Sequence, residues 1–122
     1  MRQESYINFL GYPVSRKGLN GEVECALNYI KCRSRGAYMA CANPHSLVIA
    51  SKDEQFRRSL LEADILVPDG IGIILGARAL GLPIRQKVAG FDFFHRFSEK
   101  AQEKGGFRYF FLGSSPAVLK LI

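Results

Sequence analysis

Short unbroken apolar runs alternate with stretches of helical spacing along this chain. Ala37 to Cys41, Ile65-Leu66-Val67 and Phe107 to Leu112 read as buried strands. Tyr6 to Val14 reads as a further strand with a turn at Gly11. Between them, Val23, Leu27 and Ile30 recur at helical spacing, and a helix is expected after Asn20. Glu22 and Glu24 then fall in its first turn and Lys31, Arg33 and Arg35 near its end, matching the macrodipole, with Gly36 as the stop. Asn43-Pro44 looks like a cap followed by proline at the first helical position. Ser51-Lys52-Asp53-Glu54 fits a capping box for a helix through Leu61. Pro68 ends the second strand, and Gly70 to Leu80 is apolar enough for a buried helix closed by Gly81 and Pro83. Phe91 to Lys104 forms another helix, with Phe94, Phe97 and Ala101 on one face and Gly105-Gly106 at its end. Gly113-Ser114-Ser115-Pro116 opens one more.

Strands separated by helices predict an α/β fold with a largely parallel sheet flanked by helices. The last helix has only begun at Ile122, so the chain is expected to be C-terminally truncated. Apolar residues at 48% and charged residues at 23% are ordinary for a globular chain of 122 residues and argue against disorder. The net charge of +6 favours acidic partners such as nucleotide phosphates or an anionic membrane surface. The basic residues are scattered, with Arg16-Lys17 and Arg57-Arg58 the adjacent pairs and no interleaved aromatics, so nucleic acid is not an expected partner. No long apolar run follows Met1 to Ser5, so no signal peptide is expected. The most apolar stretch, Ile65 to Ile84, is broken by Asp69, Arg78 and two prolines, so any membrane contact is expected to be peripheral. Cys25, Cys32 and Cys41 form no CxxC pair and read as free thiols of a reducing cytosol. Cys25 and Cys32 could share a helix face, but that is a poor zinc site without further ligands.

Three strand-to-helix junctions carry the candidate chemistry: Cys41-Ala42-Asn43-Pro44, Pro68-Asp69-Gly70 and Gly113-Ser114-Ser115-Pro116. In a parallel sheet all three lie along one edge, where open α/β sheets bind ligands and helix N-termini suit a diphosphate. Each also has a structural reading. Asn43 and Asp69 are both good helix caps, and the serine-rich loop reads equally as a plain turn. A carboxylate at Asp69 could instead accept a proton from a substrate hydroxyl. Gly70-Ile71-Gly72 with Gly76 is one residue off a dinucleotide fingerprint, with Asp92 near the place of a ribose-binding acid. No convincing strand separates them, so Gly72 and Gly76 read better as close-packing positions. Lys87, ahead of Val88-Ala89-Gly90, is either a phosphate-facing cation or a solvated surface lysine. His45 and His95 lack partners at metal-ligand spacing; His45 could border a pocket, and His95 sits among Phe93, Phe94 and Phe97. A DxD pair and a GxSxG elbow are both absent from the sequence.

Taken together, Asn43-Pro44, the run Ala63 to Gly72 containing Pro68-Asp69-Gly70-Ile71-Gly72, the run Lys87 to Asp92, and Phe110-Phe111-Leu112-Gly113 resemble the WecG/TagA/CpsF family of bacterial glycosyltransferases. The order and spacing agree from about Tyr6 onward, and PDGxG followed by VxGxD is specific in combination. The resemblance implies a Rossmann-like fold in which residues 1–122 are the N-terminal part of a single glycosyltransferase domain with no internal boundary. It implies an inverting, metal-independent enzyme moving an N-acetylmannosamine-type sugar from a UDP-sugar to a polyprenyl-diphosphate-linked acceptor. Such enzymes build teichoic-acid linkage units or other cell-surface polysaccharides, in the cytoplasm and peripherally at the inner face of the plasma membrane. Membrane contact would come through a basic C-terminal part not in this chain. Carried over, Asp69 is the catalytic base, and Cys41, Asn43, Gly70, Lys87, Gly90, Asp92 and Gly113 fall in the substrate-binding positions. Cys41 and Lys87 depart from the family's common threonine and arginine; a thiol bonds more weakly than a hydroxyl, and lysine lacks bidentate phosphate geometry. The competing readings are a non-catalytic nucleotide-binding fragment and an NAD-type dinucleotide-binding domain. A half-sheet with an exposed apolar edge also predicts self-association into a homo-oligomer.

Overall fold

The structure, a computed structural model, describes residues 5–33, 35–84 and 86–122. Met1 to Glu4, where most of the leader expectation falls, lie outside the described residues. The chain opens with a hairpin, β1 (Tyr6–Phe9) paired antiparallel with β2 (Tyr12–Ser15) across Leu10-Gly11, so the expected single strand is two. Then come α1 (Gly18–Lys31), β3 (Met39–Ala42), α2 (Pro44–Ala50), α3 (Glu54–Leu61), β4 (Ile65–Pro68), α4 (Ile71–Ala79), α5 (Gly90–Lys104) and the single turn α6 (Pro116–Leu119).

β3 and β4 pair in parallel, Met39 opposite Ile65 through Ala42 opposite Pro68. Residues two apart on a strand share a face, and that alternation divides the core. Ala40, Ala42 and Leu66 face a cluster with Phe9, Tyr12 and Val14 of the hairpin, Leu60 of α3 and Ile73, Ile74 and Ala77 of α4. Met39, Cys41, Ile65 and Val67 face a second cluster with Val23 and Leu27 of α1 and Phe93 and Phe97 of α5. All four residues of β4 are buried, as the unbroken apolar run requires of a strand covered on both faces.

The largely parallel sheet is only partly realised: among the described residues the parallel element is this one pair. Phe107 to Leu112, expected as the third strand, forms no ladder. Its rings lie instead against α5, Phe107 on Phe97 and both Tyr109 and Phe111 edge-on to Phe94. Strand preference in such a run is a preference for a pleated, half-buried surface, and without backbone pairing the aromatic contacts decide its place. Phe110 and Leu112 are consequently exposed.

Several local expectations shift by a turn. α1 begins at Gly18 rather than after Asn20, so Glu22 stands beyond the first turn and is fully buried. The Ser15 hydroxyl donates to one of its carboxylate oxygens, while the other has no partner among the described residues. Burial pushes the Glu22 carboxyl above its ordinary range, against the Ser15 bond and the nearby Lys17 charge. α1 ends at Lys31, leaving Arg33 and Arg35 past it, and Cys32 at its C-cap. α3 is capped by Asp53, which accepts from Phe56 N–H at 3.0 Å; Ser51 instead closes α2, its hydroxyl donating to Val48 O. On α5, Phe93 and Ala101 turn inward with Phe97 at i, i+4, i+8 spacing, and Phe94 faces out.

Candidate active site at the strand ends

Because β3 and β4 are parallel and in register, their carboxyl ends finish side by side. Asp69 N–H donates to Ala42 O at 2.9 Å, carrying the pairing one residue beyond the strands. Cys41, Asn43 and Asp69 are thereby gathered on one edge. The start of α5 is tied to the same edge: Val88, buried in the second cluster, donates its N–H to Pro68 O at 2.7 Å. A Cβ built on Gly90 would stand 3.3 Å from Cys41 Sγ, so the helix start comes down onto the thiol.

Asn43 is consumed by its own helix. Its Oδ1 accepts Ser46 N–H at 2.8 Å, and its N–H donates to Ser46 Oγ at 2.9 Å, closing a capping box with Pro44 at the first helical position. Asp69 is not consumed in this way. The N-cap of α4 is Gly70, without a side-chain cap bond, so Asp69 does not cap α4. Gly70 turns the chain with φ 93° and ψ 158°, a region open essentially to glycine alone. The half-exposed Asp69 carboxylate is left beside Cys41. Burial first, then the charge of Asp69 and a hydrogen bond to it, push the Cys41 thiol up, so the thiol stays protonated and is a donor.

Neither α4 nor α5 has a side-chain cap, and their first-turn N–H groups are the ready anion sites of this edge. Asp92 is exposed in the first turn of α5, where its charge suits the dipole, and Lys87 is exposed on the approach to that helix. Gly113 is not brought to a strand end, since the segment before it is unpaired; its exposed turn, with φ 119°, leads into α6, whose cap is Ser115. Gly72 and Gly76 are close-packing positions. A Cβ on Gly72 would stand 2.5 Å from Pro44 Cγ, and one on Gly76 3.0 Å from Phe9 Cζ. His45 is exposed on α2, and His95 is exposed with its Nδ1 3.7 Å from Glu99. Among the described residues no group of three or more His, Cys, Asp or Glu is gathered as for a metal, and no helix is long and apolar enough to cross a membrane. The pairing of Cys41 with Asp69 escaped the sequence reading, although period-two alternation through 41, 67 and 69 could have pointed to it.

Parallel strands ending beside two uncapped helix starts and a carboxylate that caps no helix define an α/β chain whose candidate ligand site is this strand-end edge. A family model described as the glycosyl transferase WecG/TagA/CpsF family matches residues 7–122, and the chain belongs to that family. An N-acetylglucosaminyldiphosphoundecaprenol N-acetyl-beta-D-mannosaminyltransferase of Bacillus spizizenii is 32% identical over 87 residues, 71% of this chain and 34% of that protein. The protein of the same name from Bacillus subtilis strain 168 is 29% identical over 85 residues, 70% of this chain and 33% of its own length. The chain matches about a third of the length of these relatives.

Proposed function

We propose that this chain carries the base-bearing part of an inverting glycosyltransferase. It would move an N-acetylmannosamine-type sugar to a polyprenyl-diphosphate-linked acceptor, as the names of its relatives suggest, and in this reading the donor is a UDP-sugar. The observation that carries the reading is the Asp69 carboxylate, which stands at the strand-end edge without capping a helix. In this reading Asp69 takes the proton of the acceptor hydroxyl as its oxygen bonds the anomeric carbon. The bond from that carbon to UDP breaks, and UDP departs with the electron pair. The uncapped starts of α4 and α5 and the Lys87 ammonium are the groups that would face the diphosphate. Cys41, Asn43, Gly70, Gly90 and Asp92 shape the same edge; Gly113 joins it only if the segment before it pairs beside β3.

The same reading takes β3 and β4 as the start of a Rossmann-like sheet and residues 1–122 as the N-terminal part of one transferase domain. Work at the inner face of the plasma membrane is part of this reading; a lipid-linked acceptor fits a membrane location, and the +6 charge supports contact with an anionic surface. The test is transfer from UDP-N-acetylmannosamine to an N-acetylglucosaminyl-diphosphate lipid. Asp69→Asn should lower kcat by about 10²- to 10⁴-fold; an unchanged rate would remove Asp69 as the base. A second reading, nucleotide binding without transfer, draws on the third of the relatives' length that is matched. Saturable binding of the UDP-sugar with no turnover would favour it.

A further inference from the structure

Met39 and Cys41 of β3, with Ile65 and Val67 of β4, pack on the face covered by α1 and α5. Asp69 is the next residue of that odd-numbered series, and the bond from its N–H to Ala42 O keeps it in register with the strands. The side chains of Cys41 and Asp69 therefore fall on one face at the strand ends, near enough for the carboxylate to act on the thiol. Gly90 closes another side of the thiol, because a Cβ there would stand only 3.3 Å from Sγ.

We propose that Cys41 is a positioning residue for Asp69: its thiol, held between the start of α5 and the carboxylate, donates to one carboxylate oxygen and leaves the other free for the acceptor hydroxyl. This rests on the reading of Asp69 as the base. Burial suits the thiol to the task by keeping it protonated, so it supplies a hydrogen bond rather than a second negative charge. Cys41 then serves the reaction through Asp69, and a substrate contact of its own is not required. Gly90 acquires a second purpose, since any side chain there would press the thiol away from its acceptor.

Two measurements test the contact and its purpose separately. The first needs no turnover. In a Cys25→Ser/Cys32→Ser background, Cys41 is the single thiol, and its ionisation is followed by thiolate absorbance or by the pH dependence of iodoacetamide alkylation. Asp69→Asn should move that ionisation to lower pH, because it removes the charge that opposes the thiolate; an unmoved curve would overturn the contact. The second is transfer kinetics on the full chain. Cys41→Ala should lower kcat about fivefold to tenfold, the scale of one hydrogen bond, with KM little changed. Cys41→Ser, which keeps a donor, should recover most of it. Equal kcat in the wild type and Cys41→Ala would overturn the positioning role while leaving Asp69 as the base. A loss in Cys41→Ala that Cys41→Ser does not restore would do the same. If Asp69→Asn itself turned over normally, the base reading would fall, and the thiol titration would still decide the contact.

Discussion

The two strand-to-helix junctions, Ala42-Asn43-Pro44 and Pro68-Asp69-Gly70, are built alike and finish differently. Each follows a strand of the same parallel pair, and each puts a small polar side chain just ahead of a helix. At the first, the side chain turns back and caps the helix it precedes, so its carbonyl oxygen is spent on structure. At the second, a glycine takes the cap position in a conformation that side chains avoid, and the carboxylate stays clear of the helix. The position of one glycine therefore separates a structural polar group from a chemically available one. The widest separation should appear in turnover: Asp69→Asn loses about two orders of magnitude or more, whereas Asn43→Asp, which keeps a capping oxygen, should leave the fold intact.

The junctions also lean on each other, and that contact can be broken. Gly72 of α4 sits against the Pro44 ring at the start of α2, where an added Cβ would stand only 2.5 Å from Pro44 Cγ. A proline ring yields little, so Gly72→Ala should destabilise the fold by about 1–3 kcal/mol despite the better helix propensity of alanine. Chemical denaturation would register this as a lower midpoint at unchanged slope. A midpoint at or above wild type would mean that the two helix starts separate at no cost.

Glu22 is a third acidic or amide group whose surroundings settle its part, and it sharpens the contrast by acting on stability alone. Burial raises its pKa above the ordinary 4.5 in the folded state. Its contribution is then fully present below the unfolded value and is lost as pH rises through the higher folded value. Stability should accordingly fall as pH climbs above about 4.5 through that window. Glu22→Gln should flatten the fall and raise stability by about 1 kcal/mol at pH values above that window, because an amide avoids a buried charge with an unpartnered oxygen. Denaturant midpoints at a series of pH values check this. A wild-type profile that rises with pH would refute it.

Legibility in the sequence follows how local each decision is. The capping of α2 by Asn43 and the stop of α5 at Gly105 are written within a few residues, and both could be read. The two core faces follow from the alternation of Met39 to Ala42 and Ile65 to Pro68, also a local pattern. Phe107 to Leu112 could not be placed that way, because a strand requires a partner chosen elsewhere, and here α5 holds its rings instead. Glu22 departs from expectation for a smaller reason: the helix starts three residues earlier than the pattern predicts, and Glu22 stands in the core instead of in a solvated first turn. The choice between cap and free carboxylate at Asp69 turned on the φ of Gly70, which composition and spacing leave open.

The remaining predictions concern stability at the junctions themselves, and they are the smallest. Asn43→Ala removes a cap whose oxygen accepts at 2.8 Å and should cost about 1 kcal/mol. Asp69→Ala removes a side chain that bonds no helix start, and should change stability by less than about 0.5 kcal/mol. Its sign carries further information. The protonated Cys41 thiol would lose an acceptor, and the charge removed with it acts only on the thiolate, so any change should be a small loss. Urea unfolding of both variants, measured side by side, sets one junction directly against the other. A loss at Asp69→Ala equal to that at Asn43→Ala would make Asp69 a structural residue like its counterpart. A near-zero change there, alongside a measurable loss at Asn43, would mean that the carboxylate is held at the strand end for something other than the fold.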